Sequence, residues 1–157
     1  MLRKIRSDWE FNSFSSFITF LIYRLEHFIF LKFKWSIRFF RFFFTLIKRL
    51  FGLQSQISYK AVIGERVRLP HKAFGVVISS KARIGNDVTI FHNVTIGVNE
   101  SKINNEITIG DRCYLSTGAK VISCNLGEDV SVTPNAVVYF DCGPSCIVTM
   151  QGIKEND

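Results

Sequence analysis

From Ile63 onward an aliphatic residue returns every six positions, a period that few folds can use. The hexads IGERVR and LPHKAF begin at Ile63 and Leu69, and a three-residue slip follows. ISSKAR, IGNDVT and IFHNVT then begin at Ile78, Ile84 and Ile90. Ile96-Gly97 leads into a polar excursion over residues 98–106, and the period resumes with IGDRCY at Ile109 and LSTGAK at Leu115. One residue is lost after Val121 before LGEDVS at Leu126 and VTPNAV at Val132. Six residues fit no helix stripe; each hexad makes one short strand and one corner, and three make a triangular coil of about 18 residues. The aliphatic residue points inward at every turn, small residues fit the corners, and stacked coils lie about 4.8 Å apart. A Rossmann or sandwich reading lacks the helices or the alternation it needs. A purely structural solenoid would carry regular Thr ladders and no polar excursion.

The first 52 residues are physically different. They hold ten of the 20 Lys and Arg against Asp8, Glu10 and Glu26, and 13 of the 16 Phe. The other 105 residues carry equal numbers of basic and acidic side chains, so the net charge of +7 is an N-terminal property. With no recognised nucleic-acid module beside it, this charge does not point to nucleic acid. The expected organisation is a helical amphipathic segment over 1–52, a β-helix over 53–142 and a tail over 143–157.

The longest charge-free stretch, Phe11–Tyr23, has 13 residues, short of the roughly 20 that cross a bilayer. Two helices are expected, near 8–31 and 34–51. Phe14, Phe17, Leu21, Leu25 and Phe28 form an apolar stripe on the first. On the second, Arg38, Arg41, Lys48 and Arg49 are interleaved with Phe39, Phe40, Phe42, Phe43, Phe44 and Leu46. That combination suits an interfacial helix on an anionic membrane surface; packing on the β-helix or on partner subunits is the alternative. His27, among apolar residues, reads as structural. No small-residue cleavage site follows the basic start, so a signal peptide is not expected. Cys113, Cys124, Cys142 and Cys146 form no CxxC pair and have no His at finger spacing, which argues against zinc and for a reducing cytoplasm.

Three runs carry a family likeness: His71 ahead of Gly75-Val76-Val77-Ile78, the segment Asn93-Val94-Thr95-Ile96-Gly97, and Thr117-Gly118-Ala119-Lys120. Over about residues 56–140 the chain resembles the hexapeptide-repeat acetyltransferases. It is similar to the serine-acetyltransferase-like branch, which also holds O-acetyltransferases of capsular and exported polysaccharides. The resemblance implies a mainly β fold: a left-handed parallel β-helix preceded by an α-helical basic and aromatic N-terminal segment. It also implies a homotrimer with acetyl-coenzyme A in the groove between neighbouring β-helices, and His71 as general base. The family pattern places the pantetheine arm near Gly97, Gly118, Ala119 and the Thr133-Pro134-Asn135 corner, with Lys120 toward a phosphate. No metal is expected: a related β-helix metalloenzyme needs three His ligands, and only His71 and His92 lie in the solenoid.

An alcohol attacks a thioester well only if its proton leaves as the C–O bond forms, and a neutral imidazole suits that task near neutral pH. Backbone N–H groups at the corners could serve the oxyanion. His92 follows His71 by one coil plus the three-residue slip, so looping out the slip would stack the two rings. Two departures from the serine enzymes stand out. Gln56 occupies the position of the Asp that orients their base; its amide can accept the ring N–H bond and fix the tautomer but cannot stabilise imidazolium, for which Glu65 or a neighbouring chain's acid is the substitute. The excursion lacks their Arg and His, and offers Asn99, Asn104, Asn105 and Glu106, groups suited to sugar hydroxyls. The expected function is therefore acetyl transfer to a sugar hydroxyl of a surface or capsular polysaccharide or its precursor. The expected place is the cytoplasm, peripheral at the inner face of the cytoplasmic membrane. A serine-type small-molecule O-acetyltransferase and a non-catalytic trimeric scaffold are the alternatives.

Overall fold

Successive hexads stack as parallel strands on the three faces of a prism. The computed structural model describes residues 1–33, 37–99 and 106–155. One face holds β1 (Gln56–Ile57), β3 (Val77–Ile78), β6 (Thr95–Gly97), β9 (Lys120–Ile122) and β11 (Val137–Val138) in that order. The second holds β2 (Val62–Ile63), β4 (Ala82–Ile84) and β7 (Ile107–Ile109), continued by parallel bridges at Leu126 and Cys142. The third holds β5 (Thr89–Ile90), β8 (Tyr114–Leu115), β10 (Ser131–Val132) and β12 (Cys146–Thr149), and β13 (Gly152–Glu155) folds back antiparallel on β12. Because β12 pairs in parallel with β10, the solenoid runs past Cys142 into the segment read from sequence as a tail.

Every leading aliphatic from Ile63 to Val138 is buried, and so are the small residues four positions on, such as Val67, Ala73, Val88 and Ala119. Two inward side chains per hexad fill the prism, and all four cysteines join this core as free thiols. The slip is local. Arg68 opposes Thr89, but Val77 opposes Thr95, so the extra residues lie between Arg68 and Val77. The excursion leaves between β6 on the first face and β7 on the second.

At the edge between the second and third faces, Arg66, Asp87, Arg112, Asp129 and Ser145 all adopt left-handed backbone. Their side chains alternate in charge: Arg66 meets Asp87 at 2.6 Å and Arg112 meets Asp129 at 2.7 Å. Equivalent residues lie one coil apart, so opposite charges at successive corners attract across the strand spacing.

The N-terminal segment forms three helices where two were expected: α1 (Leu2–Phe11), α2 (Phe14–Lys32) and α3 (Ile37–Leu50). The break falls at Asn12, whose backbone is extended. Its amide donates to the carbonyls of Asp8 and Val67, and its oxygen accepts from the Leu69 N–H. That side chain splices the helix junction into the first coil.

A solenoid's first coil has no neighbour beneath it, so its outward carbonyls need partners. α1 and α2 supply them. Tyr23 donates to the Ala61 carbonyl at 2.8 Å, Ser16 to Leu69 at 2.6 Å and Lys4 to Ile63 at 2.9 Å. Arg24 reaches the carbonyls of Ile63 and Gly64, both at 2.7 Å, while forking onto Asp8 at 2.9 and 3.2 Å. Phe20 is fully buried and closes the prism end. The contact face of α2 is therefore Ser16, Phe20, Tyr23, Arg24 and His27, the last within 2.8 Å of the Tyr59 carbonyl. The expected stripe is wrong for this contact: Phe14 and Phe28 are exposed, because the coil end selects hydrogen-bond donors over bulk apolar surface.

Candidate active site

The three-residue insertion builds the site. Pro70 is followed by His71, Lys72 and Ala73 with φ of +55°, +61° and +56°, then Gly75 at +63°. Three successive non-glycine residues in the left-handed region are strained. The turn is held by Ala73 N–H to Pro70 O, Phe74 N–H to His71 O and Val76 N–H to Ala73 O, each at 3.2 Å. Ala73 is anchored in the core, and His71 is pushed out to solvent at the edge between the third and first faces.

On the coil above, His92 occupies the same edge, and the two rings meet edge to face with centroids 4.8 Å apart. One coil further, the Thr117 hydroxyl lies 3.5 Å from His92 Nδ1. Sequence reasoning had singled out Thr117 as part of a motif but missed this contact. The signal was present: Thr95 opposes Lys120, 25 positions on, so the coil carrying the excursion is seven residues longer than 18 and its corner returns at Thr117. Phe91 packs beside His71 at 5.8 Å and against Tyr114 at 5.2 Å, an aromatic strip also unforeseen.

Gly75, Asn93, Gly118 and Asn135 stack in one column of left-handed corners on this edge. A Cβ on Gly75 would lie 2.1 Å from Asn93 Oδ1, and one on Gly118 2.2 Å from Asn135 Oδ1, so each asparagine side chain fills the space its neighbouring glycine leaves. Lys120 reaches back to the Gly118 carbonyl at 3.2 Å. Gly118, Thr133, Pro134 and Asn135 thus share the histidine edge, while Lys120 opens a strand of the adjoining first face and Gly97 ends another at its far side. Ala119 does not line the surface: it is fully buried, its N–H bound to Ser116 and its carbonyl to the Thr95 N–H.

Among the described residues none of the other expected groups is shown in contact with His71. The Gln56 backbone pairs with Val76 and Val77, its residue is exposed, and no hydrogen bond joins it to His71 among the described residues. Glu65 sits on another edge and is bound to Arg3 at 2.7 Å, which holds its carboxyl below the usual range, so it does not orient His71. Asn99 and Glu106 flank the excursion at the third edge, across the whole first face from His71; Asn104 and Asn105 lie outside the described residues. Five extended residues separate the two edges, a span of roughly 15 Å. Among the described residues no group of three or more His, Cys, Asp and Glu could hold a metal ion.

A triangular prism of hexapeptide coils with imidazoles on one edge defines a left-handed parallel β-helix of the hexapeptide-repeat class. Within that class the matches are to serine acetyltransferases. The chain is 44% identical over 91 residues to the serine acetyltransferase of Mycobacterium tuberculosis, covering 56% of this chain and 39% of that protein. The Helicobacter pylori enzyme is 40% identical over 88 residues, covering 55% of this chain and 51% of that one. Soybean serine acetyltransferase complexed with serine superposes with a TM-score of 0.74 at 27% identity, covering 87% of this chain and 55% of that one. No protein-family model matches the chain. The chain spans about half or less of the curated relatives' length. These likenesses fit a hexapeptide-repeat β-helix acetyltransferase of the serine-acetyltransferase branch.

Proposed function

We propose that this protein transfers an acetyl group from acetyl-coenzyme A to a hydroxyl, with His71 as general base. The observation that carries the reading is the contact of the exposed His71 with the half-buried His92 beside a glycine-lined edge. The acceptor oxygen attacks the thioester carbonyl while a His71 ring nitrogen takes its proton. The tetrahedral intermediate then collapses, the C–S bond breaks, and the imidazolium returns the proton to the departing thiolate. His92 acts beside the reacting atoms, its ring turned by Thr117. Gly97, Gly118, Lys120 and the Thr133-Pro134-Asn135 corner are the surface for the coenzyme arm, where missing side chains permit close approach to backbone.

The assembly is a homotrimer. In its support, Asn99 and Glu106 lie on a different edge from His71 in one chain, the arrangement expected where a neighbouring copy completes the site. The relatives favour a small hydroxy acceptor of the serine type. A second reading, a sugar hydroxyl of a surface or capsular glycan, is favoured by the Phe91–Tyr114 strip flanking His71 and by an excursion without Arg or His. Four free buried thiols fit a reducing cytoplasm, and the cationic aromatic N-terminus fits the inner membrane surface. Labelled acetyl-coenzyme A offered separately with L-serine and with the host's surface glycan tests both readings. Transfer to serine supports the first, transfer to glycan alone supports the second, and equal transfer by wild type and His71→Ala rejects the base.

A further inference from the structure

The N-terminal segment divides its labour, and the division identifies which helix meets a membrane. α2 is long and apolar enough to cross a bilayer by length and composition. Its polar side chains are nevertheless committed: Ser16, Tyr23 and Arg24 bind carbonyls of the first coil, and Arg24 is 4% exposed. A crossing α2 would strip those carbonyls and bury Arg24 and Glu26 without their partners, so α2 belongs to the solenoid.

α3 is different. Phe44, which is buried, and Lys48, which bonds Glu26 at 2.8 Å, dock one side on α2. Arg41 lies over the Tyr59 ring at 5.6 Å. On the opposite side Phe39, Phe42, Phe43, Leu46 and Leu50 project at helical spacing into solvent. Phe39 is 82% exposed, Phe42 80% and Leu50 76%. Such a contiguous aromatic stripe is not a normal water-facing surface. α3 contains no Asp or Glu, and its exposed Arg49 flanks the stripe.

We infer that α3 is an in-plane anchor that lies on an anionic lipid surface, with its phenylalanine stripe in the acyl boundary and its cations among the headgroups. Charge decides between occupants. A second copy would set one cationic helix against another, whereas an anionic bilayer complements it. Membrane attachment then needs no spanning segment and leaves the capped solenoid intact. The inference deepens the location given above but does not depend on the acetyl-transfer reading.

The experiment is sedimentation of the full chain with vesicles of phosphatidylcholine alone or with phosphatidylglycerol added. Wild type should pellet with the anionic vesicles, several-fold more than with neutral ones, and added salt should reduce the difference. Phe39→Ser/Phe42→Ser/Phe43→Ser should reduce bound protein at least tenfold while melting temperature and acetyl transfer stay unchanged, since these rings are exposed. Arg49→Gln should weaken the preference for anionic vesicles. Vesicle binding that survives the triple substitution overturns the inference. So does a wild type that ignores vesicles but forms a larger species in gel filtration that the triple substitution dissolves, which would make the stripe a contact between copies. Loss of acetyl transfer in His71→Ala with vesicle binding retained separates the two readings.

Discussion

His71 and His92 meet edge to face with ring centroids 4.8 Å apart, although a left-handed turn and a full coil separate them in sequence. The contact exists because the insertion is absorbed between Arg68 and Val77, leaving every strand in register. Thr117 extends the column by one coil. Removing the proposed base should lower kcat about a hundred- to ten-thousand-fold, so His71→Ala should lose most acetyl transfer with coenzyme binding kept. His92→Ala should cost less, and Thr117→Val should lower kcat/KM by less than either without abolishing it. Steady-state kinetics across pH 5.5–9 reads all three; a fully active His71→Ala sinks the assignment.

The Arg24–Asp8 pair is the keystone of the cap. Both residues are buried, and Arg24 also serves two carbonyls of the first coil. Breaking a buried pair by deleting one partner costs about 3–5 kcal/mol. Asp8→Ala should therefore lower Tm by about 6–20 °C for a chain of this size, and Arg24→Ala by more, because it also orphans the Ile63 and Gly64 carbonyls. Calorimetry at matched protein concentration checks the order, and a smaller loss for Arg24→Ala than for Asp8→Ala refutes the capping role.

The solenoid was legible because its signal is a count. Ile63 to Val138 keeps a period that survives two insertions and one deletion, and the same count stacks His92 over His71. The cap was not legible, for a physical reason. Apolar periodicity ranks Phe14 and Phe28 above Ser16, Tyr23 and Arg24, whereas the first coil's unpaired carbonyls reward donors. A motif match does not say which way the Ala119 side chain points; its position in the hexad, equivalent to Val94 and Ala136, marks it as core. That Asn99 and Glu106 lie at a different corner from His71 could have been read by counting corners, since Gly97 and Ile107 flank that corner.

The cysteines make a sharper test of the core. Burial pushes the Cys113 thiol up to about 11 and the Cys142 thiol up to about 12. Cys113 also donates to the Gly127 carbonyl at 3.0 Å. Thiolate is the reactive form, so at pH 8 both should be almost entirely protonated and shielded. Ellman's reagent should find no fast thiol in the native protein and four after denaturation. A rapid native reaction at Cys113 or Cys142 would contradict the inward orientation of those hexads.

Acid should weaken the charged corner. Hydrogen bonds from Arg66 hold the Asp87 carboxyl below the usual carboxylate range, and Arg112 does the same for Asp129. A carboxyl depressed in the folded state binds its proton more weakly there than in the unfolded chain. Its stabilisation is therefore complete above the unfolded value near 4 and is lost as pH falls through the lower folded values. Melting temperature should be flat from pH 7 to about 5 and then drop toward pH 2, with added salt shrinking the drop because these groups face water. Arg112→Gln releases Asp129 and also frees Glu128, which Arg112 binds at 2.7 Å. That variant should start less stable at pH 7 and lose less on acidification, so its curve should converge on wild type near pH 2. Parallel curves would mean that the corner charges contribute nothing to the stacking of the coils, leaving the buried aliphatic column to hold them alone.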